Sequence, residues 1–239
     1  MLSKHAFRTA ALCTLFTFSS LAAGCSNSNA DQKKEAVNLF FESWNRLCEA
    51  DSLKAHGDMN LLGVDLDFNA AYQSQPAELA FLGKGSLAGQ SVDADFYIRD
   101  GHTYLNYAGT KSSSLAANLG INEEDGFHMP NPFLELSRSE RENLFESVKV
   151  EGNEYTFVLK PSEVAKFLDS YGAVDVDKTV LEVEIENKTI RELSIDLKGT
   201  YDIDVASTPL TFQADIEIDQ VGGTVQIDFP SDLASWPVQ

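Results

Sequence analysis

The chain has 239 residues, 18 basic against 37 acidic, for a formal net charge of −19. Nucleic acid is therefore excluded as a partner, because binding it needs clustered basic charge to displace counterions, and the same acidity repels anionic lipid headgroups. Hydrophobic residues make up 43% of the chain, enough to bury a core without disulfide staples.

In chain order the first element is an export signal. Residues 1–24 carry Lys4 and Arg8, an apolar run over 10–21 and then small residues. The run is too short and too rich in Ser and Thr to span a bilayer as a mature anchor. It ends in Leu21-Ala22-Ala23-Gly24-Cys25, which resembles a lipobox, where a bacterial lipoprotein is diacylated on cysteine and cleaved before it. The other reading is an ordinary secretory cleavage site beside a chance cysteine. The polar tether that follows over 25–30 favours the lipobox, although Ala22 replaces the commoner leucine. Removal of residues 1–24 leaves 16 basic and 37 acidic residues, a net charge of −21. Cys13 leaves with the signal and Cys25 is acylated, so Cys48 has no disulfide partner; its place on an apolar helix side predicts a buried, inert thiol. With no internal linker, residues 31–239 form one expected domain.

Residues 31–50 place Val37, Phe40, Phe41, Trp44, Leu47 and Cys48 on one stripe, which predicts an amphipathic helix. From Leu62 the period changes to two. Leu62, Val64, Leu66 and Phe68 alternate with polar residues, as a half-buried strand does, and further strands are predicted at 79–85, 92–99 and 102–107. Asp100-Gly101 between the last two is a hairpin signal, since both central positions of that turn need positive φ. Residues 110–132 read as polar and irregular. Ser137 and Glu140 suggest a capping box opening a short helix, and a strand pair over 148–159 turns at Glu151-Gly152-Asn153. Pro161 precedes a helix expected over 162–171 and stopped by Gly172. The strongest alternation follows, over 181–185, 193–201 and 210–218, before Gly222-Gly223 turns the chain into Val225, Ile227 and Phe229. The predicted class is α+β: an antiparallel sheet whose single apolar face needs a cover, with three short helices to supply it.

Motifs for chemistry are weak throughout. Gly83-Lys84-Gly85-Ser86 lacks the first glycine of a nucleophile elbow and is no phosphate loop. His56, His102 and His128 are far apart, without a second ligand at helical spacing. The alternating oxygen ligands Asp65, Asp67 and Asn69 lack the glycine of a calcium loop, and Pro76 stands where its twelfth-position acid belongs. With 37 carboxylates, chance guarantees some pair at the separation glycoside hydrolysis needs, so such a pair is no evidence. The sequence thus gives no catalytic residue, no metal site and no cofactor.

The order of elements carries a resemblance. The lipobox, the amphipathic helix, the meander containing Phe96-Tyr97-Ile98-Arg99-Asp100-Gly101, the central helical interruption and the closing Val225-Gln226-Ile227-Asp228-Phe229-Pro230 together resemble Gram-positive lipoproteins of the LolA/LppX-like fold, closest to members without known activity. The resemblance implies a strongly curved β half-barrel covered on its concave face by helices, in better-known relatives around a cavity for lipid. It implies a non-enzymatic lipoprotein, held on the extracytoplasmic face of the cell membrane by lipid on Cys25. Phe40, Phe41, Trp44, Phe68, Phe96 and Phe212 are then candidates to line a cavity for an apolar molecule. Packing of the same rings into a filled core is the other reading; it would make the protein a surface-displayed module for a protein partner.

Overall fold

The computed structural model describes residues 26–87, 90–119, 121, 129–168, 173–203 and 206–238. The signal, Cys25, His128, Tyr171 and Gly172 lie outside these residues. The described residues form three α-helices and one open antiparallel sheet of eleven strands. The first meander is β1 (Ser52–Leu61), β2 (Val64–Gln73), β3 (Glu78–Leu87), β4 (Gln90–Arg99), β5 (His102–Tyr107) and β6 (Thr110–Leu115). The second is β7 (Phe145–Glu151), β8 (Glu154–Leu159), β9 (Ala173–Glu186), β10 (Thr189–Ile203) and β11 (Ala206–Val221). Short connections make sequential neighbours antiparallel, and the pairing of β1 with β11, from Leu53↔Val221 to Leu61↔Phe212, joins the two meanders side by side.

Helix α1 (Ser26–Cys48) precedes the sheet, α2 (Arg138–Leu144) lies between the meanders and α3 (Pro161–Leu168) between β8 and β9. The expected capping box is present on α2: Ser137 Oγ accepts from the Glu140 amide at 3.3 Å, and Glu140 Oε2 accepts from the Ser137 amide at 2.8 Å. Two orphan donors at the helix start are thereby satisfied. The Asp100-Gly101 tip also forms, with φ of 50° and 71°. Gly152 turns β7 into β8 at φ 67°.

Period-two alternation divides the sheet into a front face, on which α1 packs, and a back face. The front carries Leu53, Ala55, Tyr72, Leu181, Val183, Leu197 and Ile218, all buried with Val37, Phe40, Phe41 and Leu47 of α1 in one core.

Four expectations are corrected. Thr110–Leu115 is a strand, hidden in the sequence because β6 is a sheet edge whose Ser and Thr residues show no apolar alternation. Leu62 stands in a two-residue turn with Gly63, at φ 53° and 80°, where leucine is an uncommon residue. Strand β1 is a strand without a clear sequence signal, because Ala55 and Gly57 weaken its apolar row. Residues 225–229 do not form a strand. Strand β11 is already paired with both β10 and β1, so no edge remains for this segment, and it crosses the back face instead.

Candidate functional site

The front face is apolar across both meanders, but the helices cover only part of it. Under α1 the rings close on one another: Phe40 lies 5.9 Å from Phe145 and 5.2 Å from Phe157, and Phe41 lies 5.5 Å from Phe133. Phe133 in turn meets Phe167 at 5.8 Å and Trp44 at 5.6 Å. Phe40 and Phe41 are buried. Trp44 donates from Nε1 to Asn131 Oδ1 at 3.2 Å, and Asn131 donates onward to Asn45 Oδ1 at 2.8 Å. These tilted and edge-to-face contacts, with the indole N–H satisfied, describe packed core.

Beyond Leu53, Ala55 and Tyr72, the first meander presents the same face with no helix across it among the described residues. Phe68 stacks on Phe81 at 5.6 Å, and Phe81 opposes Phe96, which opposes Leu105. Gly83 opposes Phe68 in the next strand. A Cβ at Gly83 would come within 3.0 Å of Leu66 Cδ1 and 3.2 Å of Phe81 Cε1, so the missing side chain leaves room for the neighbouring ones. Beyond these rings the face stays open: Leu61, Val64, Leu105 and Tyr107 are 48%, 38%, 46% and 53% exposed. Two exposed apolar pairs on one face, at its β1–β2 and β5 sides, mark a contact surface more than scattered single residues would.

The six residues nominated from sequence therefore share one side of the sheet but not one place. Phe40, Phe41, Trp44 and Phe212 belong to the helix-covered core, with Phe212 partly buried against Leu61 and Leu197. Phe68 and Phe96 sit on the open half, Phe68 buried and Phe96 partly so. Cys25 is outside the described residues. The open half adds Leu61, Val64, Phe81, Leu105 and Tyr107. Their signal was the alternation of β3 and β5, which shows which face they share but not that a helix stops short of it.

The back face is closed over β3 to β6 by the C-terminal segment. Trp236 packs edge-on against Tyr97 at 5.9 Å and Tyr104 at 6.0 Å, and Phe229 lies under the Arg99 guanidinium at 4.6 Å. Lys111 reaches Asp232 at 2.7 Å. Burial, with Asp95 next, pushes the Tyr97 phenol up to about 12. Elsewhere on this face a cleft of about 530 Å³ is lined by Asp58, Asn60, Asp65, Glu182, Asp196 and Asp215 among others. Its acids make it unsuited to an apolar guest.

Nothing among the described residues assembles reactive chemistry. Cys48 is buried, and desolvation, with Glu49 next, pushes its thiol up to about 11, which suppresses the nucleophilic thiolate. His56 meets Asp219 at Nδ1 (3.1 Å) and Glu217 at Nε2 (3.4 Å), so the two carboxylates engage different nitrogens of the ring. Among the described residues no three His, Cys, Asp or Glu side chains gather as a metal ion would need.

No protein-family model and no curated protein matches the chain. Among solved structures it is similar to LprF from Mycobacterium bovis, at 13% identity and TM-score 0.42 over 82% of this chain and 97% of that one. It is also similar to the Mycobacterium tuberculosis lipoprotein LppX, at 11% identity and TM-score 0.44 over 81% and 98%. The site described above stands on its own geometry.

Proposed function

We propose that this is a non-enzymatic lipoprotein of the cell envelope, acylated on Cys25 and held on the extracytoplasmic face of the membrane, whose sheet curves as a half-barrel around an apolar ligand. The observation that carries the reading is the open half of the front face, where Leu61, Val64, Leu105 and Tyr107 continue the row of Phe68, Phe81 and Phe96 with no covering helix among the described residues. An acyl chain offers that row what water cannot, at roughly 25 cal/mol per Å² of apolar surface buried. The ligand lies over β2 to β5, and the ring cluster under α1 forms the wall at one end.

The filled space beneath the helices favours a second reading, a structural module that meets a protein partner. Titration with a fluorescent fatty acid separates the two. Saturable binding is expected, weakened by Leu105→Asp with thermal stability unchanged, because Leu105 is 46% exposed and its replacement leaves no cavity. No saturable binding by the parent protein would reject the ligand and leave the module.

A further inference from the structure

The order of residues along α1 fixes which end of the sheet the anchor occupies. Lys33 donates from Nζ to the carbonyls of Phe145 (2.7 Å) and Glu146 (3.3 Å) at the start of β7. Further along the same helix, Glu42 pairs at 2.7 Å with Lys188 in the turn between β9 and β10. Helix α1 therefore runs along the strands with its first residue, Ser26, toward the end where β7 begins. A continuous row of cross-strand partners ties that end to the β1–β2 hairpin: Phe145↔Leu159, Leu159↔Thr179 and Thr179↔Leu197, then Leu197↔Phe212, Phe212↔Leu61 and Leu61↔Val64.

Hairpin tips at this end differ from those at the other. The β1–β2 tip is Leu61-Leu62-Gly63-Val64 and the β5–β6 tip is Tyr107-Ala108-Gly109-Thr110, with no charge in either despite a chain charge of −19. Leu61, Leu62, Val64 and Tyr107 are 48%, 56%, 38% and 53% exposed. At the opposite end the tips carry Arg99 and Asp100, Glu186 and Lys188, Glu151 and Glu154. The apex residue Leu62 holds a left-handed φ of 53°, which Asn or Gly adopts at less cost. Turn formation does not account for a leucine there.

We propose that Leu61, Leu62, Val64 and Tyr107 dip into the lipid bilayer beside the acylated Cys25. The proposal rests on the anchor reading, since Cys25 directly precedes α1. An uncharged apolar edge suits a chain whose acidity repels anionic headgroups, because burial of leucine needs no basic residue. Tyrosine is at home at the boundary between headgroups and acyl chains. The tether keeps the tips at the surface, so a contact too weak to recruit a free protein is populated once the anchor is in place. The open apolar half of the front face leads to the same edge.

The test uses Leu62→Trp and Asp100→Trp variants of the full chain, extracted from expressing membranes and reconstituted into phosphatidylcholine vesicles with brominated acyl chains. The Leu62→Trp variant loses emission relative to its own signal in unbrominated vesicles, while Asp100→Trp, at the opposite end, does not. The same preparation is digested and its N-terminal peptide weighed. Diacylglycerol on Cys25 without quenching of Leu62→Trp overturns the tip contact and leaves the anchor standing. An N-terminal peptide without diacylglycerol overturns the anchor, and with it the geometry used here. Masking of Leu62→Trp in detergent, in proportion to protein concentration, overturns the bilayer in favour of a second copy.

Discussion

Asp100 and Gly101 both hold left-handed backbone, at φ 50° and 71°, in the two-residue turn between β4 and β5. A β-branched residue at the second position meets the backbone at every rotamer, so Gly101→Val should cost on the order of 1–3 kcal/mol in chemical denaturation. An unchanged unfolding midpoint would remove the turn from the account. A second residue gives acid sensitivity a direction. Lys111, donating to the Asp232 carboxylate at 2.7 Å, is the largest influence holding that carboxyl below its ordinary range. The unfolded chain therefore takes up its proton first as acid is added. The contribution is complete above the usual carboxylate value of about 3.9 and is lost as pH falls through the lower folded value. Asp232→Asn should remove this component from the acid-unfolding curve; a variant whose curve superimposes on the parent's would show that Lys111 confers nothing.

Helix α1 is held by rings. Phe40 is 1% exposed and has five aromatic neighbours within 6.5 Å: Phe41, Trp44, Phe133, Phe145 and Phe157. Phe40→Ala should cost about 3–5 kcal/mol of stability, because the void lies among side chains fixed by one another and cannot collapse. Phe96→Ala, on the open half, should cost less and should instead weaken fatty-acid binding. The reverse ranking in paired thermal melts and titrations would place the site under the helices. The stripe of α1 was legible because each turn repeats it, and the α2 cap was legible because it is local. The fate of residues 225–229 was not: their alternation is that of a strand, and only the occupation of both edges of β11 turned them into a cover for Tyr97.

For the molecule as a whole, anchorage is the outcome most open to measurement. Each buried CH₂ contributes roughly 0.8 kcal/mol, so the two acyl chains proposed on Cys25 would make a lasting attachment where one is marginal. Cys25→Ser should leave unlipidated protein that no longer fractionates with membranes and no longer incorporates a clickable fatty acid. Continued labelling of that variant would place the lipid elsewhere. The fall in membrane retention should far exceed that from Leu62→Asp, because the tips act only beside an existing tether.

The sequence by itself determined what periodicity and local chemistry can carry: a stripe on α1, alternation in the long strands, a capping box at Ser137 and a turn at Asp100-Gly101, beside the expectation of an export signal over 1–24. It also marked the candidate rings and the side of each strand on which they stand. Which of those rings are core and which are surface was decided by the tertiary structure. Phe40 and Phe96 read alike in the chain, as aromatic residues on an apolar face. Among the described residues the helices pack chiefly over the second meander and reach the first only at Leu53, Ala55 and Tyr72, so Phe40 is enclosed while Phe96 is only partly buried. Coverage of a face depends on where distant elements pack, and no spacing within one strand records it.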